Sequence, residues 1–240
     1  MLTRKGWRLL EQADVVLHDA LIDVDGFRQA APLARWINVG KRLGRVSTAQ
    51  SFISKSLVNL SMRGYKVVRL KGGDPTIFGR LTEEIEACRA AHIEIEIVPG
   101  ITAACASAAE LEISLTQRDV SRSVTFLTPR MSNSGGLSGN WIPVAVASDT
   151  VVLYMAGAEL SAIARTLLAN GRHPQTPVAV IESASRLARK TLLTLQCCLD
   201  TPPVISGGPV TVVIGEVVKC AMEVHRLPGP YQFQPQARAQ

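Results

Sequence analysis

Short β-branched runs alternate with helical stretches along the first half of this chain, and that alternation admits few folds. Val15–His18 reads as a strand, Trp36–Val39 as a second, and Gln50–Arg63 as a helix with Ile53, Leu57 and Leu60 on one face. Lys66–Lys71 (KVVRLK) follows as a strand, and a glycine-rich loop, GGDPTIFGR, leads to a helix from near Thr82. Glu83 and Glu84 in its first turn suit the positive end of the helix dipole. Ile93–Val98 is the next strand, and PGITAACASAAEL is a turn opening a small-residue helix. Strand, helix, strand in this order predicts a parallel sheet with crossover helices, since neighbouring parallel strands cannot be joined by a tight turn.

The pattern falters at LTQRDVSRS and again in the Ser/Gly/Asn-rich loop NSGGLSGN. It resumes with TVVLYM as a strand, AELSAIARTLLANG as a helix stopped by glycine, then TPVAVIE, RKTLLTL and PVTVVIGEVV as strands. The expectation is an N-terminal α/β domain over 1–118 and a C-terminal one over 119–226. Residues 227–240, rich in Pro and Gln, form a frayed tail. A chain of 240 residues is long enough for both cores. It opens inside a helix, TRKGWRLLEQA, where a parallel sheet normally supplies a strand first, so a preceding strand is the expectation.

Composition narrows the partners. Lys and Arg number 26 against 20 acidic residues, and a net charge of +6 favours anionic ligands: nucleic acid, anionic lipid or a polycarboxylate. No apolar run is long enough for a membrane helix, and the N-terminus is not a secretory signal; the expected compartment is the cytoplasm. The five cysteines lack C-x-x-C spacing and read as small reduced core residues, and the four histidines show no metal-ligand spacing.

The strongest chemical signal is VVRLKGGDPTIFGR. Two glycines directly after a strand let another molecule approach the backbone, and ligands of open α/β sheets bind beyond the carboxyl ends of the strands, where Gly72, Gly73 and Asp74 fall. The same residues are equally consistent with a tight turn before a helix. The stretch is neither G-x-G-x-x-G nor a phosphate-binding G-x-x-x-x-G-K-[ST] loop. Asp19 follows the first strand, Lys41 the second, and Pro99–Ala103 the strand IEIEIV. If these ends converge, a carboxylate and an ammonium there serve as base and acid.

With these motifs in order, the chain resembles the uroporphyrinogen-III C-methyltransferase family. The resemblance rests on ADVVLHDALI, VGKRLG with Gln50, VVRLKGGDPTIFGR, VPGITAA, LTQRDVSRSVTFLT, LYMAG and TPVAVIE, and it runs from Leu2 to about Val218. It implies an α/β, two-domain tetrapyrrole-methylase fold, each domain a sheet flanked by helices, with the active site in the cleft between them. It also implies a homodimer that binds S-adenosylmethionine and methylates C2 and C7 of uroporphyrinogen III, giving precorrin-2 for sirohaem or cobalamin, without nucleic acid, membrane or metal. Cofactor contacts then fall on Gly72, Gly73, Asp74, Ile77, Thr102, Ala103, Met155 and Ala184, with Asp74 accepting from ligand hydroxyls. Asp19 corresponds to the proton acceptor and Lys41 to the proton donor, while Lys41, Arg42, Arg45, Arg69 and Arg118 are candidates to meet the substrate carboxylates.

The sequence also departs from the family pattern. The G-P-G-D loop and its strand would lie before Met1. Val46 stands at a usual histidine, Thr76 at an aromatic, Leu81 and Thr82 at a Gly-Gly pair, Thr128, Pro129 and Arg130 at Thr-Gly-His, and Gln117 at a histidine before Arg118. These departures motivate an alternative, a degenerate non-catalytic homologue. An RNA methyltransferase of the same fold has the net charge for it and KGGDPTIFGR against it.

Overall fold

The structure, a computed structural model, describes residues 1–40, 50–131, 137–138 and 140–226. It contains two compact units, Met1–Cys105 and Ala106–Gln240. The first unit begins with α1 (Arg4–Glu11), whose N-terminus is capped by the Thr3 hydroxyl accepting from the Gly6 amide at 3.2 Å. There follow β1 (Val15–His18), α2 (Val24–Arg28), β2 (Arg35–Asn38), α3 (Gln50–Met62), β3 (Val67–Leu70), α4 (Leu81–Ala90) and α5 (Ala103–Leu111), in which the second unit starts.

β2, β1 and β3 form a parallel three-stranded sheet in that order. β1 is buried along its length, as a central parallel strand covered on both faces must be. Its alternate side chains divide between two layers: Val15 and Leu17 pack with Ile53, Leu57 and Cys88 from α3 and α4, and Val16 packs with Leu10 of α1 and with Ala30 and Ala31.

In the second unit come β4 (Val124–Leu127), β5 (Arg130–Met131), β6 (Leu137–Ser138), α6 (Trp141–Ala147), β7 (Thr150–Tyr154), α7 (Leu160–Ala169), β8 (Pro177–Glu182), β9 (Arg189–Thr194), α8 (Leu195–Asp200), β10 (Val210–Ile214) and α9 (Lys219–Arg226). The main sheet runs β4-β7-β10-β8-β9; β4 and β7 are parallel, the other pairs antiparallel. Its core joins Val151, Leu153, Val178, Val180, Val212 and Ile214 to Ile163 and Leu167 of α7. Asp149 ties β4 to β7 by accepting from the Arg122 and Ser123 amides at 2.9 and 3.0 Å, and these donors hold its carboxyl below the usual range.

Several expectations shift. β2 begins one residue earlier than read, at Arg35. Residues 93–98, expected as a strand, enter no ladder among the described residues, and Ile95 and Ile97 stay exposed: alternation specifies an extended backbone but supplies no partner. The faltering stretch at 117–121 is a turn closed by the Gln117–Ser121 bridge, and the division between the units falls ahead of it, within α5. Among the cysteines, Cys88 and Cys198 are buried, and burial pushes the Cys198 thiol up to about 12. Cys105 and Cys220 are exposed free thiols rather than core residues. No helix among the described residues is long and apolar enough to cross a membrane. The tail 227–240 and most of the NSGGLSGN loop lie outside the described residues.

Candidate active site

Because β1, β2 and β3 are parallel and in register, with His18 beside Asn38 and Leu70, their following loops leave from one edge of the sheet. Asp19 leaves from β1, Gly40 follows β2, and Gly72–Asp74 follow β3. A Cβ on Gly40 would lie 1.9 Å from the Ala20 nitrogen and 2.7 Å from the Asp19 carbonyl carbon, so only glycine lets the β2 loop rest on the Asp19–Ala20 peptide. Lys41, Arg42 and Arg45 lie outside the described residues.

The glycine loop after β3 is clamped to the loop before α5. A Cβ on Gly100 would come within 2.2 Å of the Gly73 carbonyl oxygen, and the Gly100 amide donates to Asp74 Oδ2 at 2.9 Å. Asp74 Oδ1 accepts from the Thr76 amide at 2.8 Å and from the Thr76 hydroxyl. Burial works to raise the Asp74 carboxyl, but the Thr76 hydroxyl and the Gly100 and Thr76 amides outweigh it and hold the group below its ordinary value. Asp74 thus accepts from the protein's own donors and ties the two loops together. Ile77 closes the same turn, donating its amide to the Asp74 carbonyl at 3.2 Å. Gly73, at φ +87°, faces the Ile101 carbonyl and the Ala103 amide, which puts Thr102 and Ala103 beside the glycine loop. Gly72 differs: among the described residues a Cβ there would meet only the Leu21 Cβ, at 3.6 Å, so they leave its backbone open to a ligand.

Behind this edge lies a knot of charge. Arg69 Nη2 donates to Asp19, Nε donates to Glu84 Oε1 at 3.1 Å, and Nη1 donates to the Leu70 carbonyl at 3.1 Å. Lys71 Nζ reaches Glu84 Oε1 and Oε2 at 3.0 and 2.9 Å, and Gln50 Nε2 adds a bond to Oε1 at 3.0 Å. Side-chain exposures are 28% for Asp19, 11% for Arg69, 7% for Lys71 and 4% for Glu84. Arg69 is thus paired within the protein with both Asp19 and Glu84. Sequence reasoning missed Lys71 and Glu84. The charged residues flanking the strand VVRL, with a carboxylate one helical turn into α4, are the signal that could have found them. Arg80, at φ +52°, pairs bidentately with Glu83 at 2.9 and 2.8 Å on the exposed side of the same helix start.

In the second unit, Met155 and Ala184 each lie just past a strand. Met155 follows β7 with φ +56° and is 64% exposed. Ala184 lies between Ser183 and Ser185, at φ +59° and +63°. Left-handed backbone at non-glycine residues costs about 1–3 kcal/mol each and persists where surrounding contacts enforce it. Such contacts are present: Glu182 accepts from the Ser206 and Gly208 amides at 3.0 and 2.7 Å, which hold its carboxyl below the ordinary range, and the Ser185 amide donates to Glu110 at 3.2 Å. Arg118 is exposed in the 117–121 turn. Among the described residues no cluster could hold a metal ion.

The sequence matches the family of Tetrapyrrole (Corrin/Porphyrin) Methylases over residues 1–196. It is 39% identical over 225 residues to a siroheme synthase of Baumannia cicadellinicola subsp. Homalodisca coagulata, covering 94% of this chain and 49% of that protein. The chain spans about half the length of the curated relatives it matches. Among solved structures it is similar to uroporphyrin-III C-methyl transferase from Thermus thermophilus complexed with S-adenyl homocysteine, with TM-score 0.76 and 31% identity over 91% of this chain and 92% of that one. A cobalt precorrin-4 methyltransferase, at TM-score 0.76 and 24% identity over 90% of this chain and 89% of that one, shares the fold.

Proposed function

The chain belongs to the tetrapyrrole methylase family, and we propose from that premise that it transfers methyl groups from S-adenosylmethionine to C2 and C7 of uroporphyrinogen III, giving precorrin-2. The observation that carries this reading is the open backbone at Gly72, clamped through Gly73 and Asp74 to Gly100, on the same sheet edge as Asp19. The residues suit the donor: Gly72 presents a bare peptide with room beside it, and Met155 offers an exposed, polarizable thioether. Gly72, Gly73, Asp74, Ile77, Thr102, Ala103, Met155 and Ala184 would hold it.

When bound, S-adenosylmethionine supplies an electrophilic methyl group and leaves as S-adenosylhomocysteine. The protein's part is to orient the reactants and to place a base. In this proposal Asp19 takes the bridge proton whose loss from the methylated macrocycle restores a neutral ring, and Lys41, assigned as proton donor, meets substrate carboxylates together with Arg42, Arg45 and Arg118. The active form is a homodimer in the cytoplasm.

Calorimetric titration with S-adenosylhomocysteine tests the donor site. Saturable binding with a Kd between about 1 μM and 1 mM is expected, the range in which enzymes commonly meet their substrates. A folded sample that takes up none at about 1 mM contradicts the proposal. A second reading, a homologue that binds without turnover, is favoured by residues 93–98, which lie beside the clamped loop without a strand partner among the described residues. It predicts the same binding and no methylated product.

A further inference from the structure

We propose that Glu84 is a positioning residue for methyl transfer, holding Asp19 and the Gly72–Gly73 loop in a fixed relation through Arg69 and Lys71. The inference rests on Asp19 being the proton acceptor. Glu84 touches neither proposed reactant seat itself, yet each of its bonds leads to one. Through Arg69 it fixes the carboxylate of Asp19: the guanidinium spends Nε on Glu84 and Nη2 on Asp19. Nη1 donates to the Leu17 and Leu70 carbonyls of β1 and β3, which removes the remaining freedom of the fork. Through Lys71 it fixes the residue immediately before Gly72, with both carboxylate oxygens engaged. Through Gln50 it anchors the first residue of α3, directly after the segment that carries Lys41.

Burial makes this arrangement specific. Glu84 is 4% exposed and Lys71 7%, so neither charge has water as an alternative partner, and each must keep the other. The charges in contact with one another, Asp19, Arg69, Glu84 and Lys71, sum to zero, and His18 adds only a ring-nitrogen contact to the Asp19 carbonyl at 3.0 Å. A structural ion pair needs two members. Here one carboxylate collects an arginine, a lysine and a glutamine from β3, the glycine loop and α3, and each of these elements leads to a residue assigned to the reaction.

The test compares Glu84→Gln, Asp19→Asn and their double variant with the native protein, with thermal unfolding as the control for folding. Glutamine keeps the shape but turns one accepting oxygen into a donor, so it cannot serve Arg69, Lys71 and Gln50 together. Glu84→Gln is expected to lower kcat about 10- to 100-fold, the scale of a misplacement near one ångström. Placed on Asp19→Asn, it should lower kcat clearly less than it does alone, since the part of its effect that acts through Asp19 is already lost and only the hold on the glycine loop through Lys71 remains. Arg69→Lys, which keeps the charge and loses the fork, is the second variant should Glu84→Gln not fold, and the same loss is expected of it. Full turnover in either folded variant, or as large a loss on Asp19→Asn as alone, overturns the proposal. Unchanged turnover in Asp19→Asn alone overturns the base assignment instead.

Discussion

Asp19→Asn is expected to lower turnover by about 10²- to 10⁴-fold, the range a positioned proton acceptor contributes, while leaving the protein folded. The carboxylate stands at the carboxyl end of a fully buried central strand, and Gly40 packs directly on the Asp19–Ala20 peptide, so its backbone has little room to move. Asparagine keeps an oxygen to accept from Arg69 Nη2, which spares the buried guanidinium an unpaired donor. What asparagine lacks is the ability to take a proton. Rate measurements beside a thermal melt separate the two consequences: a slow, stable variant is predicted, and a variant of native rate would remove Asp19 from the mechanism.

Two neighbouring glycines are expected to respond to alanine in opposite ways. Gly100→Ala drives a methyl group to 2.2 Å from the Gly73 carbonyl oxygen and 3.1 Å from the Asp74 Cα, both backbone atoms that yield only if the loops separate. The cost is about 3 kcal/mol, the upper range of overpacking, together with loss of the Gly100–Asp74 hydrogen bond. Gly72→Ala adds a methyl group that, among the described residues, meets only the Leu21 Cβ at ordinary contact distance, and stability should change by less than about 1 kcal/mol. If the donor lies against that peptide, however, the added methyl occupies its place, and affinity for S-adenosylhomocysteine should fall at least about 10-fold. Denaturant melts and calorimetry on both variants check the pair. Native affinity in Gly72→Ala would contradict the seat assigned to the donor.

Much of the fold is legible in the sequence because its central strands are covered on both faces. Val15–His18, TVVLY, PVAVIE and VTVVI appear as continuous apolar runs because they lie in the middle of their sheets. Residues 93–98 carry an equally clear alternation, but a ladder is a property of two segments, and the pattern of one says nothing about the other. The site divides in the same way. Glycines that must be glycine are visible in GGDP, since backbone approach is encoded by the missing side chain. The roles of Arg69, Glu84 and Asp74 depend on the pairs Arg69–Glu84, Arg69–Asp19 and Asp74–Gly100, 15, 50 and 26 residues apart, which spacing along one strand or helix cannot reveal. Arg69 is named for substrate carboxylates through the resemblance alone, and its pairing with Asp19 and Glu84 appears only in the fold. Glu84 looked like a helix-dipole residue because it sits in the first turn of α4, and that location is also what brings it over β3.

Every residue role assigned above presupposes that this chain methylates a tetrapyrrole. Incubating the folded protein with S-adenosylmethionine and uroporphyrinogen III, and following the products by mass spectrometry, measures that claim directly. The account predicts one-methyl and then two-methyl products, formed with a matching amount of S-adenosylhomocysteine. A folded sample that binds S-adenosylhomocysteine yet yields neither product would contradict it and leave the non-catalytic reading in its place.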